Sequence, residues 1–401
     1  MNSWVEVSEG NLAWNYHALQ RAIGRETGVL AVVKANAYGH GAALCSAVLA
    51  EAGARWLGVT CATEGVLVRG ALEAAGFGEE SRRAPTILLM CGFLLADVEM
   101  IRRYDLTPVI WTAEQVDWLC TGEGRAWGLG EGQTRGPRVH VEIDTGMGRQ
   151  GVLPGEELGR LLGYMAKRGL RLDGVFTHFC SSEVGGSELT QLQERRFEQA
   201  VAQVGEMGLR PEWVHAGNSA TVENPAQDAP WLVELAKSVG AKAMVRTGLA
   251  LYGYCLPVEW GKTVEGLCHV RAELKPVMSW KAHVLAVREL LPGETVGYNA
   301  TYTAERPMRV ALLPVGYADG LRRELSSTNE RAGGWAMVRG ERAHILGRVS
   351  MNLTVVDVTE IEGVAAGDAA LVLGEGVSAD DHARLADTIA YEILCGVHPC
   401  G

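Results

Sequence analysis

Residues 31–41, Ala31-Val-Val-Lys-Ala-Asn-Ala-Tyr-Gly-His-Gly41, decide how the rest of the chain is interpreted. The apolar run Val29–Val33 is typical of a buried parallel strand, and it stops on Lys34. Small residues and two glycines follow, and then Ala42–Ala52, a good helix-forming segment. From its position alone, a lysine whose amine reaches solvent is the more ordinary interpretation. Burial would instead lower the pKa of the amine, and a neutral amine could hold a carbonyl compound as a Schiff base.

Composition and charge limit the classes of function that need to be considered. The chain has 401 residues, enough for two domains, and its net charge of −11 argues against a nucleic-acid or anionic-membrane surface. No apolar run approaches the roughly 20 residues that span a bilayer, and the first residues lack the pattern of a signal peptide. The 9 cysteines are scattered without a recurring metal-ligand spacing. These features predict a cytoplasmic enzyme with reduced thiols, no metal, and no nucleic-acid or membrane partner.

Strand and helix signals alternate along the first 250 or so residues. The strand signals are Val29–Val33, Trp56–Thr60, Thr86–Met90, Thr107–Trp111, Val139–Asp144, Leu172–Thr177, Trp213–His215 and Ala243–Arg246. Their number and the length of this region predict an α/β fold with an N-terminal (β/α)8 barrel over residues 9–254, with a Gly-rich loop at Thr121–Gly136. A doubly wound open sheet is the alternative, but no G-x-G-x-x-G follows the first strand to support it.

The pattern changes after Tyr254. Alternating and β-rich runs separated by turn residues predict a mainly β C-terminal domain over residues 255–401, closed by one helix at Ala379–Leu394. The short N-terminal strand within residues 1–8 is expected to join this domain.

Polar residues collect where the predicted barrel strands end, which is where such barrels build their active sites. They are Lys34, Tyr38, Glu142, Asp144, Arg149, His178, His215, Asn218, Ser219, Arg246 and Gly248. Taken singly, His178 could be a core histidine, Asp144 a turn residue, and Asn218 with Ser219 a helix N-cap. Together they offer a lysine, two arginines, hydroxyls and backbone donors, a set that suits a phosphate-bearing aldehyde cofactor.

With these residues in place, the sequence resembles the alanine racemases, which are fold-type III pyridoxal phosphate enzymes. The resemblance runs from about residue 4 to about residue 395. Its motifs are Ala31–Gly41, Asp144-Thr-Gly-Met-Gly-Arg149, Thr177-His-Phe179, His215 with Asn218-Ser219-Ala220, Val245-Arg246 with Gly248, Tyr252-Gly253, Val296-Gly-Tyr298, Val315–Gly320, Gly347–Met351 and Tyr391-Glu-Ile393.

The resemblance implies a role for each matching residue. It makes Lys34 the carrier of a pyridoxal 5'-phosphate aldimine and one of two catalytic bases, with Tyr298 as the other base, supplied by the partner subunit of a homodimer. Arg246 would face the pyridine nitrogen. The remaining cofactor contacts would be Tyr38, Arg149, His178, Asn218, Ser219, Gly248, Leu249 and Tyr391, and the substrate would meet Arg149, Met351 and Tyr317.

Two positions depart from the family pattern. Glu142 stands where many members have lysine, sometimes carbamylated, and we expect its carboxylate to supply the negative charge that holds Arg149. Asn352 stands where aspartate is usual in the family, which alters the charge expected at the entrance to the active site and so concerns substrate access or selectivity.

The implied activity is racemisation of L- and D-alanine, which provides D-alanine for peptidoglycan. A serine or broad-spectrum racemase is a close alternative. A fold-type III amino acid decarboxylase would normally have glutamate rather than Arg246 at the pyridine nitrogen, and a non-catalytic pyridoxal phosphate carrier would lack residues 255–401.

Overall fold

A computed structural model describes residues 2–78, 81–120, 137–223, 225–256 and 270–399. The chain divides into two compact units. One comprises Gly10–Ala37 and Gly41–Lys275, and the other comprises the residues up to Glu9, the stretch Tyr38–His40 and the chain from Pro276 onward. The predicted loop at Thr121–Gly136 lies outside the described residues.

The first strand, β1 (Ser3–Val7), belongs to the second unit, and the next eight strands close into a parallel barrel in the first. The barrel strands are β2 (Thr27–Val32), β3 (Trp56–Val59), β4 (Thr86–Leu89), β5 (Leu106–Ile110), β6 (Arg138–Glu142), β7 (Arg171–Phe176), β8 (Trp213–His215) and β9 (Lys242–Thr247). Strand β2 pairs with both β3 and β9, which closes the ring. The predicted α/β fold class is therefore confirmed.

One helix, Glu9–Ile23, precedes the first barrel strand, and further helices follow the strands along the chain. They are Ala42–Glu51, Ala62–Ala74, Val98–Arg103, Ala113–Cys120, Glu156–Lys167, Glu188–Glu206, Ser219–Glu223 and Pro225–Ser238. Each barrel strand is almost wholly buried because side chains on both of its faces are covered. Most of these strands are apolar runs, whereas β6 alternates polar and apolar residues, Arg-Val-His-Val-Glu, and β9 carries the buried Arg246. Every helix among the described residues is too short or too polar to cross a lipid bilayer.

The second unit is built on one antiparallel sheet of eight strands. Its further strands are β10 (Met278–His283), β11 (Ala286–Leu290), β12 (Thr295–Val296), β13 (Tyr302–Thr303), β14 (Met308–Leu313), β15 (Trp335–Val338), β16 (Glu341–Leu346), β17 (Thr354–Asp357) and β18 (Ala369–Leu373). The sheet order is β1-β10-β18-β15-β16-β17-β14-β11, and β12 and β13 form a separate pair. The N-terminal strand lies at one edge of the sheet, where Ser3–Val7 pair with Met278–Ala282 of β10.

The single closing helix predicted at Ala379–Leu394 is wrong. The structure has two helices there, Ala379–Leu385 and Ala390–Gly396. The chain turns between them because Asp387 adopts a left-handed φ of 52° and Ile389 is extended, so the second helix starts afresh.

Candidate active site

Lys34 lies two residues beyond β2 and is followed by an unusual backbone turn. Ala35, Asn36, Ala37 and Tyr38 all have positive φ, between 52° and 55°. A left-handed conformation costs an L-residue roughly 1–2 kcal/mol, and it is normally adopted by single residues rather than by runs. The run is held by surrounding hydrogen bonds, among them Ala37 N–H to the Val33 carbonyl and Ala42 N–H to Oδ1 of Asn36, both 2.9 Å. Strain of this kind concentrates at functional sites.

Arg246, on β9, is buried inside the barrel and is held on several sides. Its Nη1 lies 3.3 Å from Nδ1 of His215, and its Nη2 lies 2.8 Å from the Thr177 carbonyl and 3.1 Å from Nδ1 of His178. The guanidinium also lies 4.8 Å from the centre of the Phe176 ring. Burial lowers the pKa of Arg246 to about 10, so it stays cationic near neutral pH. Within the described residues its Nε makes no hydrogen bond, which leaves a donor for a ligand.

The two histidines that flank Arg246 are neutral, and their tautomers follow from its chemistry. A guanidinium can only donate, so Nδ1 of both His178 and His215 must accept and the proton of each ring is on Nε2. Burial, followed by the charges of Arg246, Arg149 and Lys34, lowers the pKa of His178 to about 3. Burial likewise holds the pKa of His215 well below its usual value.

A buried polar chain continues from His215 through the barrel interior. Nε2 of His215 donates to Nδ1 of His140 over 2.8 Å, which places the proton of His140 on its own Nε2. That Nε2 is 3.9 Å from Oδ2 of Asp173, too long for a hydrogen bond but close enough for electrostatic attraction. Asp173 is paired in turn with Arg171 over 2.8 Å.

Glu142 is buried at the end of β6, and its hydrogen-bond partner is Gln150. Its Oε2 accepts a hydrogen bond from the side-chain amide of Gln150, which also donates to the Met90 carbonyl over 3.0 Å. Within the described residues no hydrogen bond or ion pair joins Glu142 to Arg149, so a charge on Glu142 acts on Arg149 over a longer distance. Burial raises the pKa of Glu142 to about 7, although the Gln150 hydrogen bond, Arg246 and Arg149 oppose this rise.

Arg149 is exposed at the end of a turn that Asp144 organises. Oδ1 of Asp144 accepts from the backbone N–H groups of Gly146, Met147 and Gly148 at 2.9, 2.9 and 3.1 Å. Asp144 therefore has the ordinary turn role that its sequence allowed. Arg149 follows this turn after β6, and its charge is one of the smaller causes that lower the pKa of Glu142 and of His178.

The ends of β8 and β9 form a cradle of backbone and hydroxyl groups. Oγ of the buried Ser219 accepts from Gly248 N–H at 3.3 Å and from Ala250 N–H at 3.2 Å. Oγ can therefore direct its own proton elsewhere. Oδ1 of Asn218 accepts from Ala220 N–H at 2.8 Å, the local capping role that its sequence suggested, and Leu249 begins a short 3-10 helix.

The other expected site residues lie in the second unit. The rings of Tyr38 and Tyr391 are 5.8 Å apart, and burial raises the pKa of Tyr38 well above its usual value. Tyr298, Tyr317 and Met351 are 65%, 44% and 54% exposed. The loops that carry these three residues are adjacent. Tyr317 N–H donates to the Ser350 carbonyl over 3.0 Å, and Gly297 packs so closely against Arg348 that a Cβ added to Gly297 would lie 2.8 Å from Arg348 N.

Four residues that touch this chemistry were not singled out in the sequence: Glu64, His140, Gln150 and Asp173. His140 carried a usable signal, because side chains two apart on a strand share a face and His140 precedes Glu142 by two. Gln150 carried none, because its position depends on the path of the turn after β6.

The barrel-end residues fit pyridoxal 5'-phosphate. Nε of Arg246 is the remaining donor for a ring nitrogen, and Lys34 offers an amine. The Ser219 hydroxyl, which accepts from Gly248 N–H and Ala250 N–H, can donate its own proton to a phosphate.

Comparison with known proteins identifies the family of this chain. The family models described as alanine racemase, N-terminal domain, and alanine racemase, C-terminal domain, match residues 7–256 and 277–400. The alanine racemase of Symbiobacterium thermophilum is 35% identical over 401 residues, covering 98% of this chain and 94% of the relative. That of Halothermothrix orenii is 33% identical over 399 residues, with the same two coverages of 98% and 94%.

Solved structures show the same likeness. The alanine racemase of Streptomyces coelicolor A3(2) is 29% identical with a TM-score of 0.80, covering 99% of this chain and 96% of that chain. The alanine racemase of Clostridium difficile 630 is 25% identical with a TM-score of 0.81, with coverages of 99% and 93%. The chain therefore belongs to the alanine racemase family, a family of isomerases that depend on pyridoxal phosphate.

Proposed function

We propose that this chain interconverts L-alanine and D-alanine with bound pyridoxal 5'-phosphate, using Lys34 and Tyr298 as its two bases. The observation that carries the proposal is Arg246, a buried cation held between two neutral histidines at the barrel end that also carries Lys34. A glutamate at this place would favour the decarboxylases instead.

The bound cofactor would supply an electron-withdrawing system that makes the α-proton of the amino acid acidic. Lys34 removes or returns that proton on one face of the substrate, and Tyr298 acts on the opposite face. Two opposed bases can invert the α-carbon without turning the substrate over. Because a guanidinium only donates, Arg246 would leave the ring nitrogen of the bound cofactor unprotonated, which would limit the flow of electrons into the ring.

The other contacts follow from the chemistry of each group. Ser219, Asn218, Gly248 and Leu249 would hold the phosphate of the cofactor, and Tyr38 and Tyr391 would contribute hydroxyls, because hydroxyl and N–H donors suit an anion. His178 and Arg149 would be its contacts beside the ring. Arg149, Met351 and Tyr317 hold the substrate carboxylate, and the partially ionised Glu142 lowers the excess positive charge near Arg149 and Arg246.

Tyr298, Tyr317 and Met351 act on the active site of a second copy, so the working enzyme is a homodimer. This part of the proposal is supported by the exposure of all three side chains on adjoining loops. Apolar and aromatic side chains grouped on a surface are typical of an interface. The enzyme would work in the cytoplasm and feed D-alanine to peptidoglycan synthesis.

Circular dichroism tests the activity. L-Alanine, L-serine and L-lysine are incubated separately with the purified protein and pyridoxal phosphate. We expect L-alanine to lose optical activity without loss of amino acid. Comparable rates with L-serine would indicate a broad-spectrum racemase, release of carbon dioxide would indicate a decarboxylase, and no change with any substrate would favour a cofactor carrier.

A further inference from the structure

We propose that Glu64 is a positioning residue for Lys34, and this inference rests on the proposed function. Glu64 lies near the start of the helix Ala62–Ala74, directly after β3. Its Oε1 accepts from Ala35 N–H and its Oε2 accepts from Thr60 N–H, both at 2.7 Å. One carboxylate thus bridges the backbone after β2 and the backbone after β3, two neighbouring strands of the barrel.

Helix capping explains only half of this arrangement. Cys61 is the N-cap of the helix, so Glu64 is at the third helical position, where a glutamate commonly turns back to cap the helix start. The bond to Thr60 N–H is of this local kind. The bond to Ala35 is different, because it reaches across to another strand-end loop, 29 residues earlier in the chain.

The Ala35 N–H belongs to the peptide that joins Lys34 to Ala35. Holding this peptide plane fixes the backbone rotation immediately after the Lys34 Cα, and with it the direction in which the side chain leaves the backbone. The same peptide leads into the four left-handed residues Ala35 to Tyr38, a conformation that needs external contacts to persist. Glu64 supplies such a contact at the first of them.

A carboxylate suits this place better than an amide. Both groups that face Glu64 are N–H donors, and both oxygens of a carboxylate accept. A glutamine would turn its NH2 group towards one of the two donors and break one arm of the bridge. An aspartate keeps the charge but is shorter by one methylene, so it cannot span both N–H groups from the same backbone position.

The functional consequence concerns the accuracy with which the amine is held. Lysine has a long, flexible side chain, so the position of its amine depends on how firmly the root of the side chain is fixed. A displacement of about 1 Å in a reacting group can cost about 100-fold in rate. We therefore expect loss of the bridge to lower kcat about 10- to 100-fold while KM for alanine changes less than about threefold.

The test compares Glu64→Gln with Glu73→Gln. Glu73 is on the same helix, is exposed, and its side chain makes no hydrogen bond within the described residues. Three readouts are measured: hydrogen exchange of peptides covering residues 33–40 and 58–64 in the cofactor-free protein, the affinity for pyridoxal phosphate by absorbance titration, and kcat and KM. Glu64→Gln should exchange faster in these two segments only, bind the cofactor about tenfold more weakly, and show the kcat loss, whereas Glu73→Gln should match wild type.

Several results would overturn the inference. One is equal behaviour of the two variants, and another is faster exchange throughout the barrel, which would make Glu64 a general stability residue. If Glu64→Gln fails to fold, Glu64→Asp is tested in its place. A kcat and a hydrogen-exchange pattern equal to those of wild type in Glu64→Asp would show that the bridge is not needed. The wild-type protein is assayed alongside: if it does not racemise alanine, the proposed function fails, and if it does while both variants match it, only the role of Glu64 fails.

Discussion

Nη1 of Arg246 donates a hydrogen bond to Nδ1 of His215 over 3.3 Å, inside the barrel. This one contact fixes the proton positions of two further groups, since an accepting Nδ1 leaves the proton of His215 on Nε2, and Nε2 then donates to His140. The chain of polar contacts ends at the carboxylate of Asp173. The orientation of the guanidinium is therefore supported by a chain of buried groups that begins at His215.

Replacing His140 with phenylalanine tests this chain of contacts. An aromatic ring is kept, but the acceptor for the Nε2 proton of His215 is removed, and a buried donor without an acceptor costs about 1–3 kcal/mol. We expect the free energy of unfolding to fall by about 2 kcal/mol and the affinity for pyridoxal phosphate to fall with it. Urea denaturation and cofactor titration measure the two effects.

The matched control is His344→Phe, because His344 is exposed on β16 and the same change there should alter stability by less than about 0.5 kcal/mol. Nitrogen-15 spectra of the histidine rings give an independent reading in the wild-type protein. They should show His215 neutral, with its proton on Nε2. A charged ring, or a proton on Nδ1, would contradict the assignment.

The sequence was sufficient for the barrel because buried parallel strands leave a strong local signal. All eight predicted strands are present in the barrel, and their ends differ from the predicted ends by two residues at most. The break within Ala379–Leu394 could not be predicted from the sequence. It depends on the left-handed backbone of one residue, Asp387, and the hydrophobic pattern carries no sign of that conformation.

The active site was only partly predictable, because contacts that depend on the path of a turn leave no local pattern in the sequence. Residues at strand ends, such as Lys34 and Arg246, follow from topology. The partner of Glu142 does not, because Gln150 reaches it by way of a turn whose path is set by three hydrogen bonds to Asp144. The bridge from Glu64 to Ala35 was also hidden, since it joins two loops that only the closed barrel brings together.

Borohydride reduction of the cofactor-bound protein should attach pyridoxal phosphate to Lys34 and to no other lysine. The reason is that Lys34 is the half-buried lysine at the end of the barrel that carries Arg246 and His178. Peptide mapping by mass spectrometry identifies the labelled residue. Lys34→Ala should abolish both labelling and racemisation, whereas Lys242→Ala, at the start of β9, should leave both intact. Label on a different lysine would disprove the assignment.

Tyr298→Phe should abolish racemisation while leaving the cofactor bound. The hydroxyl is lost but the exposed ring remains, so the surface that carries it keeps its shape. Loss of a general base costs roughly 100- to 10,000-fold in rate, and we expect kcat to fall by this factor. Tyr164→Phe is the control, because Tyr164, on the helix Glu156–Lys167, donates its hydroxyl to Asp117 on the helix Ala113–Cys120 and has no part in the proposed site. Retained activity in Tyr298→Phe would remove it as a base.

Glu142→Gln should change how stability depends on pH in the cofactor-free protein. The folded-state pKa of Glu142 is about 7 against 4.5 when unperturbed, so the folded state binds the proton more tightly than the unfolded state does. The stability that this proton contributes is complete below pH 4.5 and is lost as pH rises through 7. Glutamine cannot ionise, so the variant should gain about 3 kcal/mol relative to wild type between pH 4.5 and 8. Urea denaturation across this range measures the difference, and a difference that does not change with pH would contradict the raised pKa.

The same substitution tests whether the charge of Glu142 serves catalysis. With a pKa of about 7, the wild-type carboxyl group is mostly neutral at pH 6 and mostly ionised at pH 8. The negative charge near Arg149 and Arg246 therefore appears across this range, and Glu142→Gln lacks it throughout. If the charge supports turnover, kcat of wild type and variant should be similar at pH 6 and should diverge by about tenfold at pH 8. Parallel pH profiles would instead limit Glu142 to its hydrogen bond with Gln150, which glutamine can keep by accepting through its carbonyl oxygen.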